Sequence, residues 1–348
     1  MSDDEASPTT ASAPASSADS TEKIQTAMQS LCSIVSSLNI KTPAALLSNP
    51  DVYSRISALL RKPNSGAGDN NLCRWLYDTF QSGVSELQVL VLRFLPVIAG
   101  VYMSRVAERK PQAGFEAVLL ALYAHETTSR AGQAVSVTIP DLTQPSVYHE
   151  SKAAPNKNNG SELTLAVVSP ALEPHGTVRS TRRARIVGVA LELFYSKIPH
   201  VPISSKIDFC EFCKVWAGQD GDMYKELEEG EEVEMEKNKK KKDKDKDKDK
   251  NKGKGKGKVE GRVPLPWELL QPVLRILGHC LLGPNNRDPD LFRAATEACR
   301  CLFARSMHDV NPKAILPMRS LMRLSISAMG KNPLDPTELP FMDHVVSL

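Results

Sequence analysis

LQVLVLRFLPVIAGVYM, residues 87–103, is the most apolar run of the chain, and two residues inside it decide how it is read. A membrane span needs about 20 consecutive apolar residues with polar anchors at its ends. This run is shorter, lacks such anchors, and carries Arg93 at its middle with Pro96 close behind. A charge at that depth is costly in lipid, and proline removes a helix donor and kinks the backbone. The run therefore reads as a core helix bent near Pro96, buried by other parts of the same chain.

Working outward, the neighbouring segments supply those parts. Upstream, Leu72, Trp75, Leu76 and Phe80 recur at helical spacing. Thr42-Pro43 and Asn49-Pro50 each put a capping side chain before a proline suited to the first helical position. Two short helices follow, the second using Val52, Ile56, Leu59 and Leu60. Asp19 and Glu22 have capping-box spacing ahead of Ile24, Ala27, Met28, Leu31, Ile34, Val35 and Leu38, one face of a further helix. Downstream, helices are expected at 182–198, about 203–217, 266–282, 289–304 and 312–329, with Asp288-Pro289 and Asn311-Pro312 as start signals for the last two. No fixed repeat period links them.

The helical pattern breaks at VSVTIPDLTQPSVYHE, 135–150. Val135, Val137 and Ile139 alternate with small or polar residues, as in a half-buried strand, and Pro140 removes the next ladder donor. LTLAVV at 163–168 supplies a partner across the polar loop 151–161. A lone hairpin is marginal in water, so it is expected to rest on the helices. The fold class is mainly α: an irregular stack of antiparallel helices with a small β-hairpin, a disordered N-terminus and a disordered charged insertion.

Composition sets outer limits. The 348 residues are 41% hydrophobic and 24% charged, enough for a substantial core. Seven cysteines at 32, 73, 210, 213, 280, 299 and 301 form no disulfide framework, and the Ser/Ala/Pro-rich start MSDDEASPTTASAPASSADS lacks the basic region of a secretory signal. Ser2 stands where myristoylation needs glycine, and HVVSL at the end offers no prenylation cysteine. A cytoplasmic protein is expected. Its organisation reads as a tail at 1–19, a helical domain whose first part is 20–219 and second part 262–330, a charged loop at 220–261 between them, and an extension at 331–348.

Within that loop, 237–258 reads KNKKKKDKDKDKDKNKGKGKGK, with 13 lysines against 4 aspartates, behind an acidic stretch from Asp220 to Glu236. One reading is a solvated loop whose halves partly neutralise each other. Another is a polybasic surface for anionic inner-leaflet lipid, with Lys239, Lys240, Lys241 and Lys242 as its densest contact. Nucleic acid is not expected as a partner, since the run has no aromatics for stacking and no arginines for base contacts. The segment 220–258 holds 14 lysines and 13 acids, which leaves 30 basic and 28 acidic residues elsewhere, a nearly balanced body.

Catalytic patterns fail one after another. Cys210-Glu211-Phe212-Cys213 has CxxC spacing, but sequence offers only Cys299 and Cys301 as a second pair, and the segment looks helical on both sides, unlike a thioredoxin-type site. The two thiols should share a buried face with Ile207, Lys214 and Ala217. GKGKGKGK has no Ser or Thr after a Gly-Lys pair and is no P-loop. The histidines at 125, 149, 175, 200, 279, 308 and 344 stand apart, without a metalloprotease, nucleophile-elbow or kinase motif around any of them. His149-Glu150 and His175-Gly176 read as loop pins over the helices. No catalytic residue, metal or cofactor is expected.

PSVYHE at 145–150, behind the strand-like TIP-x-L, resembles the signature of the hyccin family. The helices before it, ALEPHG at 171–176 after it, and more weakly 185–218 and 262–283, are similar in order and spacing, so that the resemblance spans roughly 70–330. It marks Pro140, Pro145, Ser146, Val147, Tyr148, His149 and Glu150 as family-signature positions, structural or interfacial. Proteins of this family are non-catalytic subunits of the complex that holds the type III alpha phosphatidylinositol 4-kinase at the plasma membrane. They bind a helical tetratricopeptide-repeat scaffold while a separate membrane-anchored protein recruits the assembly. The resemblance thus implies an adaptor that supports phosphatidylinositol 4-phosphate synthesis and reaches the plasma membrane peripherally. The alternative is a peripheral protein binding anionic lipid directly through 237–258. The lysine run is a departure from what the family needs.

Overall fold

A computed structural model describes residues 16–35, 42–140, 163–174, 182–219, 221, 265–284 and 288–329. Among them the helices are α1 (Ser16–Ile34), α2 (Pro43–Ser48), α3 (Pro50–Arg61), α4 (Asn71–Gln81), α5 (Ser85–Arg93), α6 (Leu95–Ala107) and α7 (Ala113–Ser129). The strands β1 (Val135–Pro140) and β2 (Leu163–Ser169) follow. Then come α8 (Arg183–Ser196), a 3-10 turn at Ile198–His200, α9 (Ile203–Ala217), α10 (Trp267–Leu282), α11 (Pro289–His308) and α12 (Pro312–Met329). The chain is mainly α with one small two-stranded sheet, as its sequence predicts.

The start signals act as expected. Thr42 Oγ1 accepts the Ala45 N–H at 3.3 Å, and Asn49 Oδ1 accepts those of Asp51 and Val52 at 3.0 and 3.2 Å. Asp288 Oδ1 accepts the Leu291 N–H at 2.8 Å. Each satisfies donors that have no partner inside the helix. Asp19 is the exception. Helix α1 begins at Ser16, inside the segment 1–19 read as a tail, so Asp19 lies in the first turn and not at the cap. There its carboxylate faces the positive helix end and pairs with Lys23 at 2.8 Å.

The 87–103 run is buried and broken where proline predicts. Phe94 separates α5 from α6, Pro96 sits in the first turn of α6, and the two axes are bent by 45°. No single helix among the described residues is long and apolar enough to cross a membrane, although this bent pair is so by length and composition taken together. Leu87, Leu90, Leu92, Leu95 and Ile98 are all buried in the core.

Arg93 explains why a charge is tolerated there. Its side chain is 2% exposed. Nη1 donates to the carbonyl of Leu46 in α2 at 2.5 Å, Nη2 to Ser204 Oγ in α9 at 3.4 Å, and the guanidinium lies 4.2 Å over the Tyr53 ring of α3. The Tyr53 hydroxyl donates to Asp208, which also pairs with Arg61 at 2.9 Å. Ser205 Oγ donates to the backbone carbonyl of Arg93 at 2.6 Å. Charge-assisted bonds and a π face replace water around the cation. Arg105 does the same at the end of α6, donating to the carbonyls of Arg61 and Lys62 at 3.1 and 2.5 Å and so satisfying the last turn of α3.

Helix α9 joins the two halves, packing on α6 on one side and α11 on the other, while α8 packs on α7 and α10. The α8–α10 contact is close because Gly188 has no Cβ; one placed there would collide with the carbonyl oxygen of Glu268. Helix α12 lies on α10 and α11.

The hairpin departs from expectation in one respect. Its strands pair antiparallel, Val137 opposite Ala166 and Thr138 opposite Leu165, with an irregularity between Val135 and Ser136. It does not rest on the helices. Val135, Val137, Leu165 and Val167 are 38–66% exposed. The register gives the reason: Val137 falls on one face with Ala166, while Leu165 and Val167 fall on the other with Thr138 and Ser136. Neither face is apolar throughout, so neither buries cleanly, and the hairpin projects from the helical body.

Candidate functional site

The exposed hairpin stands on a polar clamp built by α7, α8 and the chain after β2. Helix α7 ends with Ala131 and Gly132 both in left-handed conformation, φ 48° and 70°. The N–H groups of Ala131 and Gly132 return to the carbonyls of Thr128 and Thr127 at 3.2 and 2.9 Å, closing the helix end. That turn launches β1. Gly132 O then accepts the Leu172 N–H at 2.8 Å, and the Leu172 side chain plugs the core beneath.

Arg130, with only 9% of its side chain exposed, ties strand to helices. Nη1 donates to Ser169 Oγ at 2.9 Å, Nε lies 3.2 Å from Glu126 Oε1, and Nη1 lies 3.5 Å from Glu192 Oε2. Burial pushes the Glu192 carboxyl upward, against a lowering pull from its bond with Ser169 and from the Arg130 and Arg275 charges. Arg275 sits 4.2 Å over the Tyr195 ring. From the other side, Tyr123 Oη donates to the Glu173 carbonyl at 3.2 Å and Arg185 to the Ala171 carbonyl at 2.5 Å, while Arg182 pairs with Glu173. The base is thus fixed by ionic and backbone bonds, those of Arg130 buried, and the arm above presents aliphatic side chains and, among the described residues, two unpaired ladder edges. Trp267, 48% exposed at the start of α10, stands beside it across a small cleft shared with Val168, Pro170 and Val189. A fixed arm with exposed aliphatics suits a macromolecular contact. Among the described residues it holds no cluster of catalytic groups.

Of the sequence-predicted positions, Pro140 closes β1, paired with Leu163, where its missing N–H ends the ladder. Pro145, Ser146, Val147, Tyr148, His149 and Glu150 lie outside the described residues, as do Lys239, Lys240, Lys241 and Lys242. His175 and His344 also lie outside them. Among the described histidines, His125 meets the Phe80 ring edge-on at 5.2 Å and His308 Nδ1 is 3.0 Å from Asp309. His200 is in the 3-10 turn, and His279 is half-buried in α10.

The cysteines hold a contact that spacing did not disclose. Cys210 and Cys213 are fully buried, as read. Their neighbours are Cys280 of α10 and Cys299 of α11, whereas the sequence singled out Cys299 with Cys301. A hydrogen bond with Cys280 together with burial pushes the Cys210 thiol well above its ordinary range, and burial does the same to Cys213. These are protonated core thiols, the opposite of a reactive pair. Among the described residues no group of three or more His, Cys, Asp or Glu side chains is placed to hold a metal ion. Lys214, expected on the buried face, instead reaches outward to Glu211 and Glu297, each at 3.0 Å.

The next residue group missed by sequence is Lys206 and His279. Lys206 is wholly buried, its Nζ has no hydrogen-bond partner among the described residues, and burial lowers its pKa. Burial and the nearby Lys206 lower that of His279. Lys206 stands four residues before Cys210 and seven before Cys213, so helical spacing itself puts it on their buried face; its charge, not the pattern, hid it.

Comparison with family models finds a match to the hyccin family over residues 39–339. It takes in the described helices from α2 to α12, the hairpin, and the segment that bears the signature.

Proposed function

Since the chain belongs to the hyccin family, we propose that it is the adaptor subunit of a plasma-membrane phosphatidylinositol 4-kinase complex, binding a tetratricopeptide-repeat scaffold and supporting phosphatidylinositol 4-phosphate synthesis without catalysing it. Membership carries a regulatory, non-catalytic role in general terms. The named partners and the location are the proposal. The observation that carries it is the family match over 39–339; the exposed, rigidly based hairpin supports it as the kind of surface a scaffold would cover.

In this reading the protein is cytoplasmic and reaches the plasma membrane through its partners, a lipid-anchored recruiter acting indirectly. The arm formed by β1 and β2, with Trp267, lies in the scaffold interface. Coexpression with the scaffold and the kinase, followed by size exclusion, tests it. One stoichiometric species containing all three is expected, and Leu165→Asp with Val167→Asp should release the adaptor while its melting temperature holds. A monodisperse chain that elutes apart from both partners overturns the reading.

A further inference from the structure

Helix α12 has an inner and an outer face of different chemistry. Ala314, Met318, Met322 and Ser325 are buried against α10 and α11. The outer face carries Lys313, Leu316, Arg319, Arg323 and Ile326, all exposed, with Leu316 at 69% and Ile326 at 41%. At 3.6 residues per turn these positions fall in one stripe. The helix contains no carboxylate anywhere in its length. Lys313 and Arg319 make no ion pair among the described residues. The nearest acid before it, Asp309, is already engaged by Arg305 Nε at 2.5 Å and His308 at 3.0 Å.

The corner that leads into α12 is built to protrude. Helix α11 closes with paired return bonds, Val310 N–H to Met307 O at 3.2 Å and Asn311 N–H to Ser306 O at 2.9 Å. The residue this motif puts in left-handed conformation is normally glycine. Here it is Val310, at φ 51°, with 78% of its surface exposed. A β-branched side chain is unfavourable in that conformation and an apolar one is unfavourable in water. Met307, 43% exposed, is one turn back.

We propose that this corner and the outer face of α12 form a contact site for an anionic lipid bilayer. Aliphatic groups alternating with long cationic side chains, and no acid among them, fit the headgroup boundary. There Val310 and Leu316 enter the acyl edge while Lys313 and Arg319 reach phosphates and carboxylates. The charge selects an anionic surface over a neutral one. The site is distinct from the lysine run 237–258 and stands whether or not the chain joins a lipid-kinase complex.

The test uses the full-length chain with all lysines of 237–258 replaced by serine, floated with vesicles of phosphatidylcholine alone and of phosphatidylcholine with phosphatidylserine. Binding to the anionic vesicles only, weakened by salt, is expected. With each cation at an anionic surface changing partitioning roughly five-fold, K313Q/R319Q should reduce it roughly twenty-five-fold. V310G and Leu316→Ser should each weaken it while the circular-dichroism melt is unchanged. The proposal is overturned if flotation survives these substitutions, or if the serine-replaced chain ignores both vesicle types while folded. It is equally overturned if the substitutions abolish binding to a protein partner and leave flotation intact, for then the face is a protein interface.

Discussion

Two buried cations on either side of α9 have opposite surroundings. At the junction of α2, α3, α5 and α9, the Arg93 guanidinium is held by a carbonyl, a hydroxyl and an aromatic face, and burial lowers its pKa against the Tyr53 and Asp208 charges. At the junction of α9 and α10, only a few residues along, the Lys206 ammonium meets Cys280 and His279 and donates to nothing described. Arginine's fork can be satisfied by groups fixed on several helices, and it stays charged. A buried lysine without acceptors relieves its desolvation by losing its proton. The first junction is a tie; the second is a weak place in the core.

Substitutions that treat the two sites alike should therefore give opposite signs. Arg93→Met leaves the Leu46 carbonyl unpaired and empties the space over Tyr53, and is expected to cost about 3 kcal/mol in urea unfolding. Lys206→Met replaces an unsatisfied amine by an isosteric apolar chain and should stabilise by about 2 kcal/mol. If it destabilises, the amine has an acceptor in solution and the contrast fails. Ser205→Ala removes the bond to the Arg93 carbonyl and should cost about 1 kcal/mol, measurable as a lower unfolding midpoint.

The smallest effects concern pH. Because the folded pKa of Lys206 is lowered, the unfolded chain binds the extra proton below its ordinary value of about 10.4, so stability should rise as pH rises toward that value. The gap between the native chain and Lys206→Met should accordingly narrow from neutral to alkaline pH. For His279, also lowered, stability should fall as pH drops below about 6.5, and His279→Gln should flatten that limb. A limb of the same depth in both proteins would assign the loss to other groups.

Where local chemistry fixes an element, the sequence is readable. The Thr42-Pro43, Asn49-Pro50 and Asp288-Pro289 starts need only a side-chain oxygen and a preset φ, and all three appear in place. The bend at Pro96 and the pairing of 135–140 with 163–169 are equally local. Most of what failed depended on partners distant in sequence. The meeting of Cys280 and Cys299 with the 210–213 pair arises from how α9, α10 and α11 pack, which no spacing encodes. The hairpin's exposure follows from its register, which sets the aliphatics of the two strands on opposite faces. Asp19 was misplaced because α1 continues past a plausible cap to Ser16. The candidate site was legible as a strand pair and a signature, but its clamp of Arg130, Ser169 and Glu192 joins residues that have nothing in common in the pattern.

The Arg93 tie also bears on how the chain is made. Leu46 and Arg93 leave the ribosome early, while Ser204, Ser205 and Asp208 come more than a hundred residues after Arg93. Until α9 arrives, α2 to α6 hold the guanidinium without part of its shell and show the apolar faces of α5 and α6 to solvent. Closure of a loop that long is slow compared with forming the individual helices. During synthesis the first third of the protein is thus expected to engage chaperones, and truncations that stop before residue 205 should aggregate on expression instead of giving a smaller folded domain.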